Sequence, residues 1–214
     1  MCITLLPEIT KMDVNAPEGF HLVLTTHNSR TSQRMRDRGI RPGSALLLDL
    51  KQEILLTQCI ADVINESGFK CIAYNICKDH VHMIILCQPI QLTNIMQKIK
   101  SVSSKNFRRA LRVAECPPMG QDPLGGFAFQ KDPHHALSHD HLWSQKFYRA
   151  ELDVWTLHTL SNNPGYLHKT THLENALHYI LSNREKHRLP FSEELNKIIE
   201  SFKLEQDIAF SNYN

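Results

Sequence analysis

The order strand, helix, strand, strand, helix, strand, read from the apolar patterning of 214 residues, predicts an α+β fold. Arranged as βαββαβ, that order is a ferredoxin-like antiparallel sheet with helices on one face, here followed by a C-terminal helix bearing a tyrosine. The reading rests on two adjacent strands of near-continuous apolarity and on two long stripes at helical spacing.

Residues 1–18, with Pro7 and Pro17, form an irregular lead-in. Phe20–Thr26 (FHLVLTT) is a short β-branched apolar run and makes the first strand. Asn28, Gly39, Pro42 and Gly43 make 28–43 a loop. From Asp49 to Glu66, Leu55, Cys59 and Val63 recur beside Leu56, Ile60 and Ile64, a helix that Gly68 stops. Lys70–Cys77 and His82–Cys87 are strands joined by a turn at Lys78-Asp79. A second helix sets Leu92, Ile95, Met96, Ile99, Val102, Phe107 and Leu111 on one stripe. Residues 115–141, rich in Pro, Gly and His, form a long loop before the last strand, Leu142–Leu152. A helix is expected from about His172 to His187, then a short terminal helix. The chain divides into the lead-in, one domain over 19–190, and a helical tail over 191–214.

With 42% hydrophobic and 21% charged residues, the composition is that of an ordinary globular protein. No apolar run approaches the roughly 18 residues that cross a bilayer, and MCITLLPEIT lacks a signal-peptide layout, so no membrane contact is expected. The six Cys occur singly, and Cys71, Cys77 and Cys87 fall in apolar runs, which suits buried reduced thiols in a cytoplasmic protein. A net charge of +2 hides an uneven distribution. Lys98, Lys100, Lys105, Arg108, Arg109 and Arg112 occur within 91–114 without one acid. Arg30, Arg34, Arg36, Arg38 and Arg41 crowd 28–41 against Asp37 alone. Two such segments suit a polyanion; solvated helix and loop faces are the blander alternative.

The stretch KDHVHMIILC places His80 and His82 two residues apart at the mouth of a strand. Residues i and i+2 share a face, about 6–7 Å apart, so both imidazoles can converge on one divalent cation. Two ligands make a weak site and a third must come from elsewhere. The helix HLENALHYILSNREKH buries Leu173, Ala176, Leu177, Ile180 and Leu181, and sets Tyr179 roughly 120° from the centre of that stripe. Asn183 follows one turn later on the same face. A hydroxyl nucleophile beside a carbonyl ligand suits phosphoryl transfer; on helix geometry alone, the commoner role for such a tyrosine is packing at the rim.

In this order DHVHMII, LTNIMQKIKSVSSKNFRRAL, LWSQKFYRAEL and ALHYILSNREKH resemble the HUH-type single-tyrosine transposases. These include the insertion-sequence transposases acting on single-stranded DNA and the REP-associated tyrosine transposases. The resemblance spans Phe20 to Pro190 and implies a catalytic domain there. It implies that His80, His82 and Asn183 bind a divalent metal, Mg²⁺ or Mn²⁺, and that Tyr179 attacks a DNA phosphate. It further implies a 5′-phosphotyrosine intermediate, no nucleotide cofactor, and hairpin-bearing single-stranded DNA as partner. The basic residues named above would hold the backbone, and Phe107, Trp143 or Tyr148 would stack on bases. Family dimers can exchange the tyrosine helix, which leaves open whether Tyr179 serves its own histidines. The host would be bacterial, with the DNA-bound protein at the nucleoid.

Two other functions fit the residues. One is an inactive or domesticated hairpin-DNA-binding protein of the same fold. The other is a metal protein centred on His134, His135, His139 and His141 in the long loop, with His80 and His82 merely structural.

Overall fold

The computed structural model describes residues 18–29, 37–39, 44–115, 141–152 and 172–203. Within them, β1 (Glu18–Thr25), β2 (Lys70–Cys77), β3 (His80–Cys87) and β4 (Tyr148–Leu152) form one antiparallel sheet in the order β2-β3-β1-β4. Helices α1 (Leu50–Ser67), α2 (Pro89–Glu115), α3 (His172–Leu181), α4 (Asn183–Lys186) and α5 (Glu193–Phe202) complete the α+β architecture. The sheet order places β1 and β3 in the middle, each followed in sequence by a helix and then an edge strand.

Local chemistry sets the boundaries of α1. Asp49 accepts the Gln52 amide at 2.8 Å while the Gln52 side chain accepts the Asp49 amide at 3.0 Å, a reciprocal cap. At the other end Gly68 takes φ +64°, and its N–H turns back to the carbonyls of the last turn.

Strand alternation divides the core in two. Phe20, Leu22 and Leu24 of β1 and Val81, Met83 and Ile85 of β3 face α1, α2 and α5. Leu195, Ile199 and Phe202 bring the helical tail into this same core. On the opposite face, Ile84 and Leu86 of β3 join Ile72, Ala73 and Leu152 beneath Leu173, Ala176 and Ile180 of α3. Covered on both sides, β3 is buried along its whole length. Its near-continuous apolarity follows from that.

Strand β1 begins two residues earlier than Phe20, at Glu18, and three boundaries nearer the histidines and Tyr179 also differ from the sequence reading. Strand β3 begins at His80, so both histidines lie within it. Strand β4 starts only at Tyr148, and Leu142 and Trp143 turn into the core before it. The helix expected over 172–187 breaks at Ser182, whose Oγ bonds the His178 carbonyl at 2.8 Å, a local contact that competes with helix continuation. Leu181, placed on the apolar stripe by periodicity, is 59% exposed, because α3 ends there. The lead-in, most of the 28–43 loop, and residues 116–140 with His134, His135 and His139 lie outside the described residues, while His141 is exposed with its ring 6.2 Å from that of His27. Among the described residues no helix is long and apolar enough to cross a membrane.

Candidate active site

On the face beneath α3, the residues of β3 change character along the strand. Ile84 and Leu86 are roofed by the helix; His82 and His80, next along, lie where α3 ends. This arrangement brings Tyr179, in the last turn of α3, against the histidines. Its ring lies 5.2 Å from that of His82, nearly perpendicular, and the residue is 41% exposed. Both belong to one chain.

The two imidazoles are held by different neighbours. His80 Nδ1 lies 2.6 Å from Asp79 Oδ1, and its Nε2 lies 3.3 Å from the Asn183 amide. With the Nδ1 proton donated to the carboxylate, Nε2 keeps its lone pair toward Asn183. His82 Nδ1 lies 3.0 Å from Nε2 of His21 on β1. Val23 pairs with His82, and His21, two residues back, shares that face as its diagonal neighbour. Burial lowers the pKa of His21, which favours the neutral ring that this bond needs. His187 closes the group with its ring 5.1 Å from His80, and Lys186 sets its ammonium 4.4 Å over the Tyr179 ring.

Two buried ties hold the helical side of the site. The Asn75 amide, in register with His82 on β2, donates to the Ile180 carbonyl at 2.7 Å and fixes the end of α3. Arg184, just after Asn183, donates to Glu53 at 2.8 Å, to the Ile76 carbonyl at 2.8 Å and to the Pro190 carbonyl at 3.0 Å.

His80, His82, Tyr179 and Asn183 are thus gathered within one chain. Sequence reasoning missed His21, Asn75, Glu53 and Arg184. Glu53 did leave a signal: it falls one turn before Leu56 and two before Ile60, an acid inside an apolar stripe. Asn75 likewise interrupts an apolar strand. His21 left none, since strand neighbours are not visible in a single strand.

The predicted nucleic-acid residues scatter more. Lys105, Arg108, Arg109 and Arg112 line one groove of about 760 Å³ on α2. That helix packs on the far face of the sheet from Tyr179. Lys98 lies apart, 5.8 Å over the Phe69 ring. Lys100 donates to the carbonyls of Ser144 and Gln145 at 2.6 and 2.9 Å, which anchors the approach to β4. Arg30, Arg34 and Arg36 lie outside the described residues. Of the aromatics expected to stack on bases, Phe107 and Trp143 are core residues, whereas Tyr148 is 61% exposed.

Residues 20–121 match the model of a family described as Transposase IS200 like. The match covers a little under half of the chain. It contains His21, His80, His82 and the basic α2, and it ends before the tyrosine helix. No curated protein matches the chain. Among solved structures, a REP-associated tyrosine transposase bound to a REP hairpin is 16% identical, with a TM-score of 0.40, over 85% of this chain and 74% of its own. A Deinococcus radiodurans R1 protein assigned as a transposase is 14% identical, with a TM-score of 0.36, over 72% of this chain and 93% of its own.

Proposed function

We propose that this transposase nicks and rejoins single-stranded DNA through Tyr179, with a divalent cation held by His80, His82 and Asn183. The observation that carries the reading is the meeting, in one chain, of a half-exposed phenol with a rigid imidazole pair and a buried amide. Among the described residues no three of His, Cys, Asp and Glu gather to hold a metal, so the donor set is two imidazoles and one amide. The amide, water and phosphate oxygens of such a mixed N/O set suit Mg²⁺ or Mn²⁺, which the family resemblance implies, whereas the imidazoles alone suit softer ions such as Zn²⁺. When bound, the cation would polarise the scissile phosphate and stabilise the leaving oxygen.

The remaining work falls to the side chains. Tyr179 Oη forms the bond to phosphorus as the bond to O3′ breaks, which leaves a 3′-hydroxyl and a 5′-phosphotyrosine. The phenolic proton leaves to solvent, to which Tyr179 is open, and the departing 3′-oxygen takes a proton from solvent. Attack by another 3′-hydroxyl reverses the step and joins strands, with no nucleotide cofactor. The Lys186 ammonium, over the ring, places positive charge beside the incoming phosphate. His21 and Asp79 orient the two imidazoles, and Asn75 fixes the end of the helix that carries the phenol.

A route for the DNA follows from the register. Asn75, His82, Val23 and Tyr148 form one cross-strand row on one face, which puts Tyr148 two strands, about 10 Å, from His82. Its exposed ring would stack on a base near the scissile phosphate. The α2 groove, beyond the segment that Lys100 anchors, would take the backbone of a hairpin stem. The phenol, the imidazole pair and the amide meet within one chain, and two copies would serve two cut ends. The setting would be the bacterial cytoplasm, at the nucleoid.

The test is incubation with labelled hairpin oligonucleotides and Mn²⁺, then denaturing electrophoresis. A covalent adduct is expected that Tyr179→Phe and EDTA both abolish. An adduct that survives Tyr179→Phe removes the phenol from the mechanism. Hairpin binding indifferent to EDTA, with no adduct on any oligonucleotide drawn from the DNA flanking the gene, would favour a binding protein instead.

A further inference from the structure

Glu53, in the first turn of α1, is 2% exposed, and its two carboxylate oxygens serve two separate pieces of chain. Oε1 accepts the Lys78 amide at 2.6 Å, and Oε2 accepts Arg184 at 2.8 Å. Lys78 precedes Asp79, whose carboxylate holds His80, and Arg184 follows Asn183, whose amide reaches the other nitrogen of the same ring. The bonds therefore close a circuit: Glu53, Lys78, Asp79, His80, Asn183, Arg184 and back to Glu53.

A buried ion pair is a poor device for stability alone, because the desolvation of both charges consumes most of their attraction and apolar residues of like volume do as well or better. What it supplies is direction. The guanidinium is a planar fork, and here Nη1 serves Glu53 and Ile76 while Nη2 reaches Pro190, so the start of α4 has one orientation. At the other end Lys78 sits at φ +41°, a conformation that a side-chain-bearing residue rarely adopts, with its amide turned to Glu53. The pair thus holds both walls of the gap between His80 and Asn183.

We propose that the Glu53–Arg184 pair is the positioning device of the cation site, setting the separation of His80 from Asn183. The proposal rests on the metal reading above. Loss of an outer partner of a metal ligand typically weakens binding 10- to 100-fold, and the same order is expected here.

The experiment titrates the full chain with Mn²⁺, following free Mn²⁺ by electron paramagnetic resonance, and records melting without metal. Wild type, His80→Ala, Arg184→Lys and the double variant Glu53→Leu/Arg184→Met are compared. The lysine keeps the charge and loses the fork; the double variant replaces the pair with apolar side chains of similar volume. Both are expected to fold, the double variant with a lowered melting temperature because the Lys78 amide loses its acceptor, and to bind Mn²⁺ tenfold or more weakly. No Mn²⁺ binding by wild type, or equal binding by His80→Ala, would refute the metal reading itself. Folded variants with wild-type affinity would overturn the positioning role alone. Loss of folding in both variants would also overturn it, by making the pair part of the stabilising core.

Discussion

His21 shows how much a single side chain can add to a site. It lies in the apolar run of β1, yet the register brings its Nε2 to 3.0 Å from His82 Nδ1. That bond orients the ring, the role an outer partner would have toward a histidine proposed to bind metal. His21→Leu is expected to weaken Mn²⁺ binding by about 10-fold or more. His21→Gln, whose carbonyl can take the same proton, should lose less, and calorimetry would distinguish the two. Equal affinity of the leucine variant and wild type would show that His82 needs no such partner. Tyrosines part in a comparable way. Tyr74 is buried against Thr57, and burial pushes its phenol far above the ordinary range, so it belongs to the core. Tyr179 has solvent, two imidazoles and a lysine around it. Cysteines follow the same rule: burial pushes Cys71 and Cys77 up to about 12, as expected of reduced structural thiols.

At the scale of elements, ends matter more than middles. Helix α1 stops at Gly68, and a Cβ there would meet nothing within 4 Å, so a substitution is opposed by backbone conformation alone. Gly68→Ala is therefore expected to lower stability by about 1 kcal/mol, read as a lower melting temperature, with Mn²⁺ binding unchanged. A melting temperature equal to wild type would mean the turn relaxes out of the left-handed region. The break at Ser182 has more consequence for function. Had the helix run unbroken to His187, Asn183 would lie one turn beyond Tyr179 on the same face, as the spacing alone suggested. In the structure Asn183 begins a new helix, buried and aimed at His80, while Tyr179 remains exposed beside His82. Local hydrogen bonding by one serine is not visible in hydrophobic periodicity, so the sequence showed the two residues but not their division of labour.

Across the whole molecule, the sheet separates the two surfaces proposed to meet DNA. The α2 groove lies on one face and Tyr179 on the other, so one DNA molecule that touches both must pass an edge of the sheet. The β4 edge, with Tyr148 exposed and Lys100 anchoring the segment before it, lies between them. Replacing Lys105, Arg108, Arg109 and Arg112 with Gln should flatten the salt dependence of single-strand binding. The slope of log K against log salt is expected to fall by about 0.7 for each phosphate that the variant no longer neutralises. Mn²⁺ affinity should not change, since none of the four approaches the histidines. An unaltered slope would place the DNA elsewhere, and the arginines of 28–41 would become the next to test.

Periodicity and turn chemistry were enough to determine the fold class, most element boundaries, and the residue types from which a site could be made: His80, His82, Tyr179 and Asn183. Those signals act over a few residues, so one chain displays them. Which strand lies beside which, which face a helix roofs, and which buried charge finds its partner are contacts between residues far apart in sequence. Glu53 and Arg184 are 131 positions apart, and His21 and His82 are 61. Only the packing of the sheet against its helices brings them together, because burial penalises every polar group left unmatched and no local pattern encodes the match.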